Sequence, residues 1–168
     1  GYNPETDILS NTITSNNGNG IYITQNNNND TLDINHNTIT HNGENGIRAN
    51  SSKVHVDSNT VSYNQQDGIY FNGTYGDIVG NLITNNGNGY RGINLYSVDG
   101  DCEVRNNTIN DNHNGIYWYS SNEQNYTLTA KNNSITYNND YGFYFENGSD
   151  NNAIEYNNSW NNCIHPKK

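Results

Sequence analysis

One six-residue pattern limits what this chain can fold into: Asn, any residue, an aliphatic residue, any two residues, Asn. It opens at Asn11, Asn37, Asn59, Asn81, Asn107 and Asn133 and closes at Asn16, Asn42, Asn64, Asn86, Asn112 and Asn138. A degenerate seventh copy reads from Asn158, with Trp160 in the apolar slot and Cys163 in place of the second Asn. The openings then lie 26, 22, 22, 26, 26 and 25 residues apart. Self-similarity at such a period marks a stacked repeat architecture.

Each period carries two further segments that alternate with a period of two, the mark of a short strand with one apolar face. One begins with glycine: Gly20-Ile21-Tyr22-Ile23, Gly46-Ile47-Arg48-Ala49, Gly68-Ile69-Tyr70-Phe71, Gly92-Ile93-Asn94-Leu95, Gly115-Ile116-Tyr117-Trp118 and Gly142-Phe143-Tyr144-Phe145. The other precedes the first Asn, as in Leu32-Asp33-Ile34, Val54-His55-Val56, Cys102-Glu103-Val104 and Leu128-Thr129-Ala130. Three short strands per repeat exclude α-helical repeats. The Asn and Gly corners are expected to supply the left-handed backbone states of sharp bends. A single coil cannot bury its own apolar side, but stacked coils share one core. The chain therefore reads as one all-β domain over 1–168, a parallel solenoid of about seven rungs with three short strands per rung. The recurrent Asn pairs read as side-chain ladders along the axis that satisfy corner backbone groups.

Composition decides whether this polar chain folds at all. It is 30% hydrophobic with mean hydropathy −1.03, and 40 of its 168 residues are Asn. Fixed apolar offsets and 14 Tyr distinguish it from a disordered polar tract. The net charge of −10, with seven unclustered Lys and Arg, argues against nucleic-acid binding. No apolar run approaches the ~20 residues of a membrane span. Eight Asn-x-Ser/Thr sequons, with a chain that opens on Gly1, fit a processed or partial extracellular protein.

The Asn-x-Ile-x-x-Asn…Gly-Ile-x-x coil, from about Asp7 to Asn162, resembles the right-handed parallel β-helix repeat. That repeat is shared by pectin-lyase-like carbohydrate enzymes, periplasmic NosD-type copper-maturation proteins and many archaeal and bacterial cell-surface proteins. The resemblance implies the fold and the hand, which the general preference for right-handed crossovers also favours. The matching residues are architectural, so chemistry has to sit on outward columns.

Stacking the repeats gives three such columns. Asp33, His55, Asp77 and Glu103 should share one face with Asp57 and Arg105. This is the catalytic candidate if the chain is an enzyme. Similar β-helix lyases and epimerases neutralise a uronate with calcium or a basic residue, and Asp33, Asp57, Asp77 and Glu103 are the candidate calcium ligands. An ordinary solvated charged face is the simpler expectation. The second column is aromatic: Tyr22, Tyr70, Tyr117 and Tyr144, interrupted by Arg48 and Asn94 and flanked by Tyr96 and Tyr119. It is suited to stacking on sugar rings or packing against a partner. Trp118, Phe71, Phe143 and Phe145 should point inward. The third column is rich in threonine (Thr12/Thr14, Thr38/Thr40, Thr60/Ser62, Ser134/Thr136), as in ice-binding solenoids, but breaks at Leu82 and Asn110.

His36, His41, His113 and His165 lack metal-ligand spacing with a cysteine. Nothing forms a catalytic triad pattern or a phosphate loop. Cys102 fills an inward slot, and Cys163 is the candidate for an intermolecular disulfide. No capping helix is legible at either end, which fits a piece of a larger surface protein or rungs that stack between subunits. The leading expectation is an extracellular, cell-surface structural protein that assembles with itself or with other envelope proteins and carries no cofactor. A carbohydrate-binding or carbohydrate-active β-helix is the alternative, and ice binding is a minor one.

Overall fold

The computed structural model describes residues 7–24, 31–119, 126–146 and 152–162. All twenty strands in these segments pair in parallel and form three sheets that wrap one core. The first sheet stacks Asp7–Leu9, Leu32–Asn35, Lys53–Asp57, Tyr75–Val79, Cys102–Arg105, Leu128–Lys131 and Ala153–Glu155. The second stacks Thr12–Thr14, Thr38–Thr40, Thr60–Ser62, Leu82–Thr84, Thr108–Asn110, Ser134–Thr136 and Asn158–Trp160. The third holds six strands, Ile21–Thr24, Ile47–Asn50, Ile69–Asn72, Arg91–Tyr96, Asn114–Tyr119 and Phe143–Glu146.

Equal offsets lie directly over one another. Ile34, Val56, Ile78, Val104 and Ala130 form one inward column. Ile39, Val61, Ile83, Ile109 and Ile135 form the second, and Ile47, Ile69, Ile93 and Ile116 the third. All are essentially inaccessible to solvent, as are Phe71 and Trp118. Phe143 is only half buried and Phe145 exposed, because their strand is the last of the third sheet.

The corner pattern explains the two asparagines. At the first corner Ser58 donates its N–H to Val79 O on the next rung, and the N–H of Asn59 points the same way. Alternate residues of a straight strand face opposite neighbours, so two successive donors on one side leave the second without a backbone acceptor. It finds Oδ1 of Asn81 at 2.8 Å, and the Asn59 amide donates to the same oxygen and to Ile34 O and Asp57 O. This unit repeats along Asn11, Asn37, Asn59, Asn81, Asn107, Asn133 and Asn157. A second ladder runs through Asn16, Asn42, Asn64, Asn86, Asn112, Asn138 and Asn162.

Three details correct the reading from sequence. The left-handed residue at each of these corners is the one before the ladder Asn: Ser10, His36, Ser58, Gly80, Asn106, Asn132 and Tyr156 at the first, and Ser15, His41, Tyr63, Asn85, Asp111, Tyr137 and Asn161 at the second. Five of these fourteen are Asn or Gly, as expected, but the ladder asparagine itself is needed for its amide and not for its backbone freedom. The glycines that open the third-sheet strands are likewise not left-handed. A Cβ on Gly46 would lie 2.4 Å from Val61 Cγ1 and 2.9 Å from the ladder amide of Asn64, so these glycines make room for the core and the ladder. Finally, the last copy is in register one residue earlier than expected. Asn157 and Asn162 are its ladder residues, Ser159 takes the apolar slot over Ile135, and Trp160 faces outward.

Replacing Asn59 by Ala leaves the N–H of Asn37 buried without a partner and removes the second donor to the carbonyl of Ile34. At roughly 1–3 kcal/mol for the orphaned donor, denaturant unfolding of Asn59→Ala is expected to show a loss of about 2 kcal/mol. Asn11→Ala, on the exposed outer rung, is expected to lose less than half as much.

Candidate functional site

The acidic face forms as expected from the stacking. Asp7, Asp33, His55, Asp77, Glu103 and Thr129 are register partners, and Asn35, Asp57, Val79, Arg105 and Lys131 form the adjoining column. Its charges pair along the surface. His55 Nδ1 lies 3.6 Å from Asp77, Arg105 Nε 3.2 Å from Glu103, and Lys131 Nζ 3.2 Å from Glu155, with side chains between 29% and 47% exposed. Asp57 accepts a hydrogen bond from Ser58. The carboxylates of Asp33, Asp57, Asp77 and Glu103 do not converge, and no group of three or more acidic, His or Cys side chains among the described residues has a metal-holding arrangement. Exposed pairs of this kind contribute little energy.

The third sheet is different. Its outward column runs Tyr22, Arg48, Tyr70, Asn94, Tyr117 and Tyr144, as the repeat alignment predicts. The guanidinium of Arg48 lies between two tyrosines, 5.6 Å from the ring centroid of Tyr22 and 5.3 Å from that of Tyr70. Arg91 covers Tyr117 at 4.8 Å, so Tyr117 is buried rather than displayed. In the adjoining column Tyr96 and Tyr119 stack with centroids 4.6 Å apart. Tyr144 packs against both Tyr117 and Tyr141. Cation–π contacts of this kind hold the two arginines in place without using their hydrogen bonds.

These side chains enclose an open groove of about 300 Å³, lined by Asn45, Arg48, Gln66, Asp67, Tyr70, Tyr90, Arg91, Asn94, Tyr96 and Tyr117. Its polarity is unusual. Nε of Arg48, Nε of Arg91 and Oδ1 of Asn94 are all buried, and none has a hydrogen-bond partner among the described residues. Buried polar atoms are rarely left unpaired without a reason, and a bound polar ligand or water is one such reason.

A third, shorter ladder underlies the groove. On four rungs the residue before the third-sheet glycine offers a side-chain oxygen to the backbone of the following rung. Asn19 accepts from Asn45 N, Asn45 from Asp67 N, and Asn114 from Tyr141 N. Asp67 replaces the asparagine on its rung. Oδ1 accepts from Arg91 N at 2.7 Å, Oδ2 accepts from Asn94 Nδ2 at 2.7 Å, and the Arg91 guanidinium is 4.0 Å away. Burial raises the carboxyl above its ordinary 3.8, against the lowering effect of these partners. Desolvation likewise raises the phenols of Tyr70 and Tyr117, the latter also through its 2.8 Å hydrogen bond to Glu146. The sequence carried a signal for this ladder: Asn-Gly-Ile recurs at Asn19, Asn45 and Asn114, and Asp67-Gly68-Ile69 departs from it.

The other candidates fall elsewhere. The threonine columns stack on the second sheet and break at Leu82 and Asn110. His36 and His41 are exposed corner residues, and His113 sits 4.0 Å from Asp140. Cys102 is buried in the inward column between Gly76 and Leu128, and burial pushes its thiol up to about 12. Cys163 and His165 lie outside the described residues.

A family model described as a right-handed β-helix region matches residues 27–166. No curated protein and no solved structure matches the chain.

Because folding raises the Asp67 carboxyl, the folded state holds that proton more tightly than the unfolded chain. The Asp67 contribution to stability is therefore largest at low pH and falls as pH rises from 3.8 through the higher folded value. Asp67→Asn keeps the acceptor for Arg91 N, and neutral Asn serves this position on three other rungs. Thermal unfolding at pH 3 and pH 7 is expected to show the variant gaining on the wild type as pH rises. A gap independent of pH counts against the buried charge.

Proposed function

Since the chain belongs to the right-handed β-helix family, whose coil is architectural, its activity rests on what projects from the coil, and we propose that it is an extracellular saccharide-binding module that uses the third-sheet groove. The observation that carries this reading is the set of unpaired buried polar atoms on Arg48, Arg91 and Asn94 beside tyrosine rings. Ligand sites combine aromatic surface with fixed polar groups, and this groove sets four tyrosines beside six polar or charged side chains, a balance suited to a hydroxyl-rich ligand. Flat rings offer the apolar faces of a sugar a surface, while the polar atoms meet its hydroxyls. The charged first-sheet face offers less to a ligand, because its groups face water and several pair with one another.

Tyr96 stands at the lip of the groove, 39% exposed and stacked on Tyr119. Removing a ring worth about 1 kcal/mol in stacking is expected to weaken saccharide binding roughly three- to tenfold in Tyr96→Ala, measured by titration calorimetry, with little change in unfolding. Binding that survives Tyr96→Ala and Arg48→Ala together refutes the assignment of the groove.

A second reading, an extracellular structural protein that packs with copies of itself or with envelope proteins, draws support from the rungs near residue 156. There Ile154, Tyr156 and Trp160 are 40%, 84% and 50% exposed. Contiguous exposed apolar surface favours association. Sedimentation velocity is expected to show higher oligomers as concentration rises, reduced in Tyr156→Ser. Monomers throughout the micromolar range rule the assembly out.

A further inference from the structure

We propose that Asp67 is a positioning residue of the third-sheet groove. Its carboxylate fixes which atom of Asn94 the groove presents, and so selects a ligand whose neighbouring hydroxyls act as donor and acceptor. The inference rests on the saccharide reading above and names the chemistry that reading requires.

The coil itself does not need a carboxylate here. The third ladder asks each of these positions for a single acceptor, and Asn19, Asn45 and Asn114 provide it as neutral amides. Asp67 provides the same acceptor through Oδ1, to Arg91 N. What an asparagine cannot reproduce is the second oxygen, which takes the amide of Asn94 at 2.7 Å. Oδ2 of Asp67 takes a hydrogen from the Asn94 amide, so Asn94 turns its NH₂ toward Asp67 and its Oδ1 away. That Oδ1 has no partner among the described residues, and it shares the groove with the unpaired Nε atoms of Arg48 and Arg91.

The groove thus combines one fixed acceptor with guanidinium donors. A vicinal diol satisfies both, since one hydroxyl donates to Asn94 and its neighbour accepts from arginine. A carboxylate or phosphate is only an acceptor and meets two oxygens, Asn94 Oδ1 and the Asp67 carboxylate, with no hydrogen to offer. The groove therefore favours a neutral sugar over an acidic one, despite its two arginines.

The test compares the wild type, Asp67→Asn and the exchange Asp67→Asn with Asn94→Asp. The exchange restores a carboxylate–amide pair and leaves a carboxylate oxygen facing the groove. The probes are a β-glucan hexasaccharide, a mannan hexasaccharide and hexagalacturonate, read by titration calorimetry. Side-chain amide resonances of Asn94 provide a readout that needs no ligand. Asp67→Asn is expected to unfold no earlier than the wild type at pH 7, to move the Asn94 amide resonances, and to bind the preferred neutral probe at least tenfold more weakly. The exchange is expected to recover most of that loss. Unchanged Asn94 resonances with unchanged affinity in Asp67→Asn, or tighter binding of hexagalacturonate than of either neutral probe, overturns the proposal. A wild type that binds none of the probes while its Asn94 resonances still follow Asp67 overturns the saccharide reading and leaves the positioning contact standing.

Discussion

At two corners of every rung the backbone points two consecutive N–H groups at the same neighbour, and the fold depends on what receives the second one. Water cannot reach it, and the neighbouring backbone has only one carbonyl in position. An asparagine on the next rung accepts it, and that asparagine's own amide turns back to a carbonyl of the rung before. Aspartate cannot give this second bond, and serine is too short to span both. Because each ladder residue serves the rungs on either side, no single rung satisfies its own backbone, and stability accrues through stacking.

The ladder also explains how so polar a chain keeps a dry core. The apolar columns need only one or two residues in each short strand, since three sheets enclose them from all sides. Many of the remaining polar residues serve the corners or face solvent. The outward columns are then free to vary, and they have diverged. The first sheet carries charges that pair with one another, the second carries short hydroxyls, and the third carries tyrosine, arginine and asparagine. The groove lies where the third ladder changes composition, at Asp67 and Arg91, and there the architectural hydrogen bonds continue into groups with spare capacity.

How far a residue could be read from sequence depended on how local its constraint was. The inward positions of Ile34, Val56 and Cys102 follow from a period of two and were legible. The register of the last rung was misread: Asn157 and Asn158 are adjacent asparagines, and although Asn157–Asn162 keeps the spacing of the other copies, it puts Ser159 rather than an apolar residue in the core slot. The glycines that open the third-sheet strands were assigned the wrong cause. Nothing in the sequence shows that a Cβ on Gly46 or Gly68 would strike the core of the next rung, whereas left-handed corners are a familiar use of glycine. Tyr117 was placed on the correct face, but its cover by Arg91 depends on a residue from the neighbouring rung.

By itself the sequence determined the period, the three strands of each rung, the two ladders and the identity of the outward columns, because all of these follow from offsets repeated along the chain. The three-dimensional structure alone decided which outward residues act together. Whether Arg48, Asp67, Arg91 and Asn94 form a groove depends on side-chain reach between rungs 22 to 27 residues apart, and on burial that leaves some of their atoms unpaired. Such contacts arise from packing between coils, and no repeat spacing encodes them.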